Sequence, residues 1–332
     1  MHPRLFEIPL IHWPVPTYGV MMVVGFLSAV FIIRRLSRDI TPDPQMITNG
    51  ALYSLIAGVV GSRLFYVLHH FDQFRGRPLS FFAVWQGGLE LLGGVILAII
   101  VILLFLRYHR LPIRRYLDIL AIGLMAALVF GRIGCFLNGC CFGKPTDAAW
   151  GIRFPYGSDA YRSQVYPNLK RNRPVPQLEL PPEYFEVYEG VEYLKPFERL
   201  SEEQKLAVTE GEYRCLPVHP TQLYSSANAL VCCFILYLFW RRSLRAEKSG
   251  KQNKLFARPG STFALMFIIY GISRFLLELV RDDNPFEYGW WIAYKGATVS
   301  QNLSIYLVVL GVVLMVVFQR MQVGPAATRR RK

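Results

Sequence analysis

An arginine is a costly residue in an apolar helix, and this chain carries three at that depth. Arg132 lies in Gly131, Arg132, Ile133 and Gly134, directly after the apolar stretch 117–130. The run continues through Cys135, Phe136, Leu137, Asn138, Gly139, Cys140, Cys141 and Phe142 to Gly143. Arg63 follows Gly61 and Ser62, and Arg274 follows Ser273 in a run that ends at Glu278. Inserting a guanidinium at the centre of a membrane helix costs about 2.5–3.5 kcal/mol on insertion scales. A group kept at that cost has a partner or a task. Three of them together suit an anion, and in a membrane the abundant anion is lipid phosphate.

Arg274, Glu278 and Arg281 stand at i, i+4 and i+7 and so share one helical face. Either Arg274 and Glu278 neutralise each other inside a bundle, or Arg274 faces a phosphate while Glu278 orients it or handles protons. Arg132 and Asn138 flank Cys135 on a glycine-rich helix end, where an arginine can also cap carbonyls or snorkel to the interface. Tyr18 and Gly19 open the first apolar block, and His219, Pro220, Thr221, Gln222, Leu223 and Tyr224 open the fifth. Tyrosine and histidine also serve as plain interfacial residues at such places. Glu90, near the start of the third block, pairs with an arginine or stays interfacial. The cysteines divide into Cys232 and Cys233 inside a block, Cys135, Cys140 and Cys141 at a block end, and Cys215 in a loop. The C-x4-C-C spacing matches no zinc pattern well and no histidine follows close by, so no metal and no cofactor is expected. A disulfide from Cys215 to Cys140 or Cys141 stays open.

The elements that must position these groups are apolar blocks of about 20 residues, the length that crosses a hydrocarbon core. Seven are expected: 18–33, 47–68, 84–105, 117–137, 221–240, 261–280 and 299–318. The fold class is therefore an all-α integral membrane protein of about seven transmembrane helices. The chain has 332 residues and a net charge of +14, but the charge is sorted by side, which is no nucleic-acid signature. Arg34, Arg35 and Arg38 follow the first block and Arg107, Arg110, Arg114 and Arg115 the third. Arg241, Arg242, Arg245, Lys248, Lys251, Lys254 and Arg258 follow the fifth, and Arg320 with 329–332 closes the chain. The short loops of the other side hold only Arg75, Arg77, Arg281 and Lys295, with Arg4 before the first block. The positive-inside rule then predicts N-out and C-in. Residues 1–16 are broken by prolines and lack the continuous apolar core of a cleavable signal peptide.

Four regions result: spans one to four with an outer arm (1–143), an external cap (144–218), spans five to seven (219–320) and a basic cytoplasmic tail (321–332). The cap is rich in proline and tyrosine, and its size argues against an independent core. Within it, Ser201, Glu202, Glu203 and Gln204 read as a capping box that opens a short helix to about Thr209. Glycine punctuates span three (Gly87, Gly88, Gly93, Gly94) and span four (Gly131, Gly134, Gly139, Gly143), which lets helices approach closely or break beside a cavity. The polar residues converge from one end of several spans, which describes a cavity opening toward the outer leaflet.

These residues resemble the bacterial prolipoprotein diacylglyceryl transferases. The family signature is similar to Gly-Arg-aliphatic-Gly-Asn-Phe-aliphatic-Asn-Gly-Glu-x-x-Gly, and 131–143 fits it except at Cys135 and Cys140. Tyr18 with Gly19, Gly61 to Arg63, Trp85 to Gly88 with Gly93 and Gly94, His219 to Tyr224, and Ser273 to Glu278 complete the resemblance in the same order. It implies transfer of a diacylglyceryl group from phosphatidylglycerol to the lipobox cysteine of a prolipoprotein, giving a thioether and glycerol phosphate. It implies catalytic roles for Arg132, Arg274, Glu278 and Tyr18. It implies lipid binding by Arg132, Asn138, Gly143, Arg63, Arg274, His219 and Gln222, and a place in the bacterial inner membrane among its lipids. Leu92 stands where the family usually has a histidine. The alternatives are a non-catalytic lipid- or precursor-binding relative and an anion transporter, although no inverted repeat of the transporter kind is present.

Overall fold

A segment alone in lipid must satisfy every backbone hydrogen bond internally, and a helix does this. The structure, a computed structural model, describes residues 4–8, 13–40, 43, 45–74, 80, 88, 90–249, 257–286, 288–289 and 291–321. Arg75, Arg77, Trp85, Gln86, Gly87, Lys251, Lys254 and 329–332 lie outside the described residues. A strand pair, β1 (Arg4–Ile8) and β2 (Trp13–Pro16), leads into α1 (Thr17–Ser37). Then follow α2 (Gln45–His69), the single turn α3 (Phe71–Phe74), α4 (Leu91–Tyr108) and α5 (Ile113–Asn138). A loop-rich segment holds α6 (Asp159–Val165), the hairpin β3 (Phe185–Tyr188) with β4 (Val191–Leu194), and α7 (Glu202–Thr209). The chain continues with α8 (Thr221–Lys248), α9 (Ser261–Glu278) and α10 (Val299–Arg320).

Among the described residues six helices reach spanning length and apolarity, and α4 is a shorter apolar helix. Of the third expected block, 84–105, residues 84–87 and 89 lie outside the described residues. Gly88 turns through φ 70° and Glu90 is extended, so the helix begins only at Leu91. The molecule is a mostly helical, multi-pass membrane protein. Large apolar side chains such as Phe31, Leu104 and Phe234 stay exposed on the helix exteriors, as a lipid-facing surface requires.

α5 is the hub and packs on α1, α8 and α9, while α2 pairs with α4 and α9 with α10. A core of Ile119, Ile122, Met125, Leu236, Trp240 and Met266 fills the half of the bundle away from Arg132. There Asp118 of α5 accepts from the Gly260 and Phe263 amides (2.7 and 2.9 Å), so a buried carboxylate caps the start of α9. α2 and α4 touch backbone to backbone: a Cβ on Gly61 would sit 2.5 Å from the Gly93 carbonyl oxygen. The ends of α1, α4, α8 and α10 opposite the candidate site carry Arg34, Arg35, Arg107, Arg245, Lys248 and Arg320.

The segment between α5 and α8 corrects one expectation. It builds its own core from Phe154, Ala160, Tyr161, Val165, Leu178 and Cys215, with a smaller cluster of Tyr184, Leu200 and Val208. Tyr161 is fully buried because its hydroxyl finds the Tyr213 carbonyl (2.7 Å), and Gln164 bonds both N–H and C=O of Leu216. Aromatic rings with satisfied polar tips thus offset the prolines. The Ser201 capping box forms as expected and α7 ends at Thr209. All six cysteines are free, so no disulfide joins Cys215 to the α5 end; its Sγ meets Gln164 Oε1 at 3.4 Å.

Candidate active site

Three helix ends are tied together by a short ladder. α5 stops where Gly139 turns left-handed (φ 81°), and Cys141 follows in the same region (φ 62°), which a side chain rarely adopts. The chain then runs extended between the entry to α8 and the exit from α9. Gly143 N–H donates to the His219 carbonyl (3.1 Å) and His219 N–H to Lys144 (3.0 Å). On the other edge, Lys144 N–H donates to Val280 (2.9 Å) and Asp282 N–H to Phe142 (3.2 Å). A Cβ on Gly143 would lie 2.5 Å from the His219 oxygen and 2.8 Å from Thr221 Cγ2. Only glycine fits this close approach. From α8, Gln222 Nε2 reaches the Cys140 carbonyl (2.7 Å) and Thr221 Oγ1 the Cys141 carbonyl (2.8 Å). Gln222 Oε1 is buried without a hydrogen-bond partner among the described residues.

This ladder gathers the arginines. Arg274 Nη1 lies 2.8 Å from Glu278 Oε2 and Arg281 Nε 3.6 Å from the same oxygen. The Glu278 side chain is fully buried. Its other oxygen accepts from Asn284 (2.7 Å) and from Thr298 (3.0 Å), the residue that caps α10. Arg274 Nη2 also donates to Ser300 Oγ (2.8 Å), and Arg281 forks onto Asp283 (2.9 and 2.6 Å). Burial opposes the Arg281 cation, but the Asp283 carboxylate that it forks onto outweighs burial and holds the guanidinium above its ordinary value. Behind them Asp282 receives Arg171 (3.1 Å) and Arg173 (2.7 Å) from the loop segment.

Arg132 differs from its neighbours. Among the described residues no carboxylate lies within ion-pair distance of it, and its contact is with Cys141 Sγ at 3.8 Å. Arg274, Arg281 and Arg132 feel one another's charge, with Tyr270 of α9 facing both Arg132 and Arg274. Three guanidiniums therefore face two carboxylates, Glu278 and Asp283, and Arg132 carries the excess positive charge.

The sequence-predicted residues separate into groups. Arg132, Arg274, Glu278 and Arg281 come together, and Tyr18 packs on Gly134 within electrostatic reach of Arg132. Gly143, His219 and Gln222 hold the ladder, and His219 Nδ1 lies 3.3 Å from the Tyr224 hydroxyl. Asn138 is exposed on the last turn of α5 with no side-chain hydrogen bond among the described residues. Arg63 is buried on α2 and donates to the carbonyls of Ser80 (2.6 Å) and Gly88 (3.1 Å). Glu90 pairs with His69 (2.8 Å) instead of an arginine, since both stand where α2 and α4 meet. Leu92 is exposed on the first turn of α4. Sequence reasoning missed Tyr270, Ser300, Thr298, Asn284 and Asp283. Tyr270 lies one turn before Arg274 on the same face, which was a legible signal; the rest come from beyond the helix.

The family model described as Prolipoprotein diacylglyceryl transferase matches residues 3–317. A protein of Xanthomonas campestris pv. campestris (strain B100) is 30% identical over 315 residues, covering 93% of this chain and 88% of its own length. Proteins of Xanthomonas axonopodis pv. citri (strain 306) and Xanthomonas oryzae pv. oryzae (strain PXO99A) are 29% and 28% identical with the same coverage. All three carry the name phosphatidylglycerol–prolipoprotein diacylglyceryl transferase.

Proposed function

We propose that this chain, which belongs to the prolipoprotein diacylglyceryl transferase family, moves a diacylglyceryl group from phosphatidylglycerol to the lipobox cysteine of secreted prolipoproteins. The observation that carries the site assignment is the uncompensated Arg132 beside the Arg274–Glu278–Arg281 cluster. In the reaction the thiol sulfur bonds to the glyceryl carbon as the carbon–oxygen bond to phosphate breaks. The electron pair leaves with glycerol phosphate, and the product is a thioether.

Arg132 and Arg274 bind the phosphate and stabilise the charge that grows on it. Glu278 holds Arg274 in place through its own fixed carboxylate. The surplus positive charge also lowers the pKa of an incoming thiol and so favours the thiolate. Tyr18, partly exposed beside Arg132, relays the departing thiol proton. Gln222 and Asn138 offer polar groups to the glycerol headgroup, while Gly143 and His219 keep the ladder in register. Arg63 holds the Ser80 and Gly88 carbonyls ahead of α4 and borders the lipid path. Membrane lipids fill the remaining space around the donor.

The sorting of basic residues to the opposite helix ends supports a place in the bacterial cytoplasmic (inner) membrane, with the arginine cluster toward the outer leaflet and periplasm. The segment 144–218 is then the external cap. The test is purified protein in detergent with phosphatidylglycerol and a synthetic lipobox peptide, read by mass spectrometry. A diacylglyceryl mass gain is expected on the peptide cysteine. It should vanish with Arg132→Ala and with a serine in place of the peptide cysteine. Lipid binding without any gain, beside an active relative, overturns the transferase assignment in favour of a binding relative.

A further inference from the structure

The phosphate site leaves one chemical cluster without a task. Cys135 on the last turn of α5 and Cys140 and Cys141 in the turn after it bring three Sγ atoms within 4.8 Å of one another. Their linear spacing conceals this, and the fold produces it. Gly139 ends the helix left-handed, Cys140 N–H folds back to the Cys135 carbonyl (3.2 Å), and Cys141 takes a left-handed backbone. A non-glycine residue held there is strained, and such strain persists where the surroundings over-determine it. Here the surroundings are Gln222 and Thr221, which clamp the two carbonyls from α8. The backbone is thus fixed from one side.

Tetrahedral zinc holds sulfur at about 2.3 Å, which puts neighbouring sulfurs roughly 3.8 Å apart. A trio already within 4.8 Å closes on such an ion by side-chain adjustments of less than an ångström each. Thiolate sulfur selects soft cations such as zinc and copper(I) over magnesium or calcium. Three thiolates around a divalent ion carry a net charge of −1, and the guanidiniums of Arg132 and Arg281 that face Cys141 complement it. Three protein ligands with one open position is a familiar zinc arrangement. Cys135 is buried, while Cys140 and Cys141 are only half-buried, which leaves one side of the trio accessible.

We propose that Cys135, Cys140 and Cys141 form a three-thiolate site for a thiophilic d10 cation of the zinc class, with the fourth position open to water or an incoming thiol. Each cysteine gives up its proton to solvent as the metal–sulfur bond forms. The site borders the proposed phosphate site through Arg132, but its readout is metal binding and not turnover, so the two readings fail separately.

The experiment titrates Cd2+ into the reduced, metal-stripped full-length chain in detergent and follows the thiolate-to-cadmium charge-transfer band. The band should saturate at about one Cd2+ per chain and be displaced by Zn2+. Cys140→Ser and Cys141→Ser should each weaken it at least about tenfold, whereas Cys215→Ser and the pair Cys232→Ser with Cys233→Ser should leave it unchanged. No band at equimolar Cd2+, or a band that survives replacement of all three cysteines, overturns the proposal. If the triple variant does not fold, protection of the wild-type chain decides. Zn2+ should shield Cys140 and Cys141 from alkylation, and unchanged alkylation rates overturn the site.

Discussion

Arg132 and Arg274 should fail in different ways when their charge is removed. Arg274 is locked to a buried carboxylate, with Glu278 Oε2 2.8 Å away. If Arg274 is lost, the carboxylate keeps Arg281 at 3.6 Å and, on its other oxygen, the hydrogen bonds from Asn284 and Thr298. Breaking a buried ion pair from one side costs about 3–5 kcal/mol, and the second arginine argues for the lower figure. Arg274→Gln should therefore lower stability by about 3 kcal/mol. Arg132 has no carboxylate among the described residues, so Arg132→Gln leaves no charge stranded and should cost no more than about 1 kcal/mol. Both should reduce turnover by about 10²–10³, the scale for removing a preorganised donor from a developing anion. Thermal unfolding in detergent, run beside the peptide lipidation assay, separates the two effects. The double variant Arg274→Gln with Glu278→Gln should regain at least about 1 kcal/mol over Arg274→Gln alone, since it removes the orphaned acid. Equal destabilisation by Arg132→Gln and Arg274→Gln would refute the argument, because Arg132 would then be a paired structural cation.

Gly143→Ala should destabilise the chain by about 1–3 kcal/mol and depress turnover, because its Cβ meets the His219 backbone; unchanged unfolding would show that the ladder yields freely. Asp118→Ala should cost about 0.5–2 kcal/mol through the lost cap on α9, with little effect on turnover at the far end of the bundle; the check is the same pair of assays. Burial pushes the Cys215 thiol up from 9.0 to about 11. Between those values the unfolded chain has lost a proton that the folded chain keeps, so stability falls as pH rises through this window, by roughly 2–3 kcal/mol in all. Alkylation of Cys215 in the folded protein should reach half its limiting rate near pH 11, against about 9 in denaturant, and a folded midpoint near 9 would show the thiol to be open.

Much of the architecture is legible in the chain because lipid imposes a simple rule on helices. Runs of Leu, Ile, Val and Phe announce α1, α2, α5, α8, α9 and α10 to within a few residues, and the i, i+4 spacing of Arg274 and Glu278 foretells their contact. The capping box at Ser201 needs only four neighbouring residues, so it is equally plain. Contacts closed by tertiary structure are not. Glu278 owes two of its partners to Asn284 and Thr298, beyond its own helix, and no periodicity connects them. Glu90 finds His69 because Gly61 and Gly93 let α2 and α4 meet, a closeness that composition suggests without fixing the register. The core of segment 144–218 escapes notice for another reason. Its aromatic residues are scattered, and only specific hydrogen bonds from Tyr161 and Gln164 make their burial affordable. The start of α4 at Leu91 follows Gly88, turned through φ 70°, and the extended Glu90, two residues that the mean hydropathy of block 84–105 passes over.

The ladder at 142–144 also sets an order of events during synthesis. Its middle strand leaves the ribosome with α5, its first partner arrives with His219, and its second arrives only with Val280 and Asp282. Until α9 is inserted, Arg132 therefore has neither Arg274 nor Glu278 beside it, and 142–144 has one edge unfilled. A nascent chain halted after α8 would hold the cysteine-bearing turn against Gln222 and Thr221 yet lack two of the three guanidiniums, Arg274 and Arg281. The last third of the polypeptide thus completes a centre begun in the first half, and premature termination anywhere before 282 yields an incomplete one.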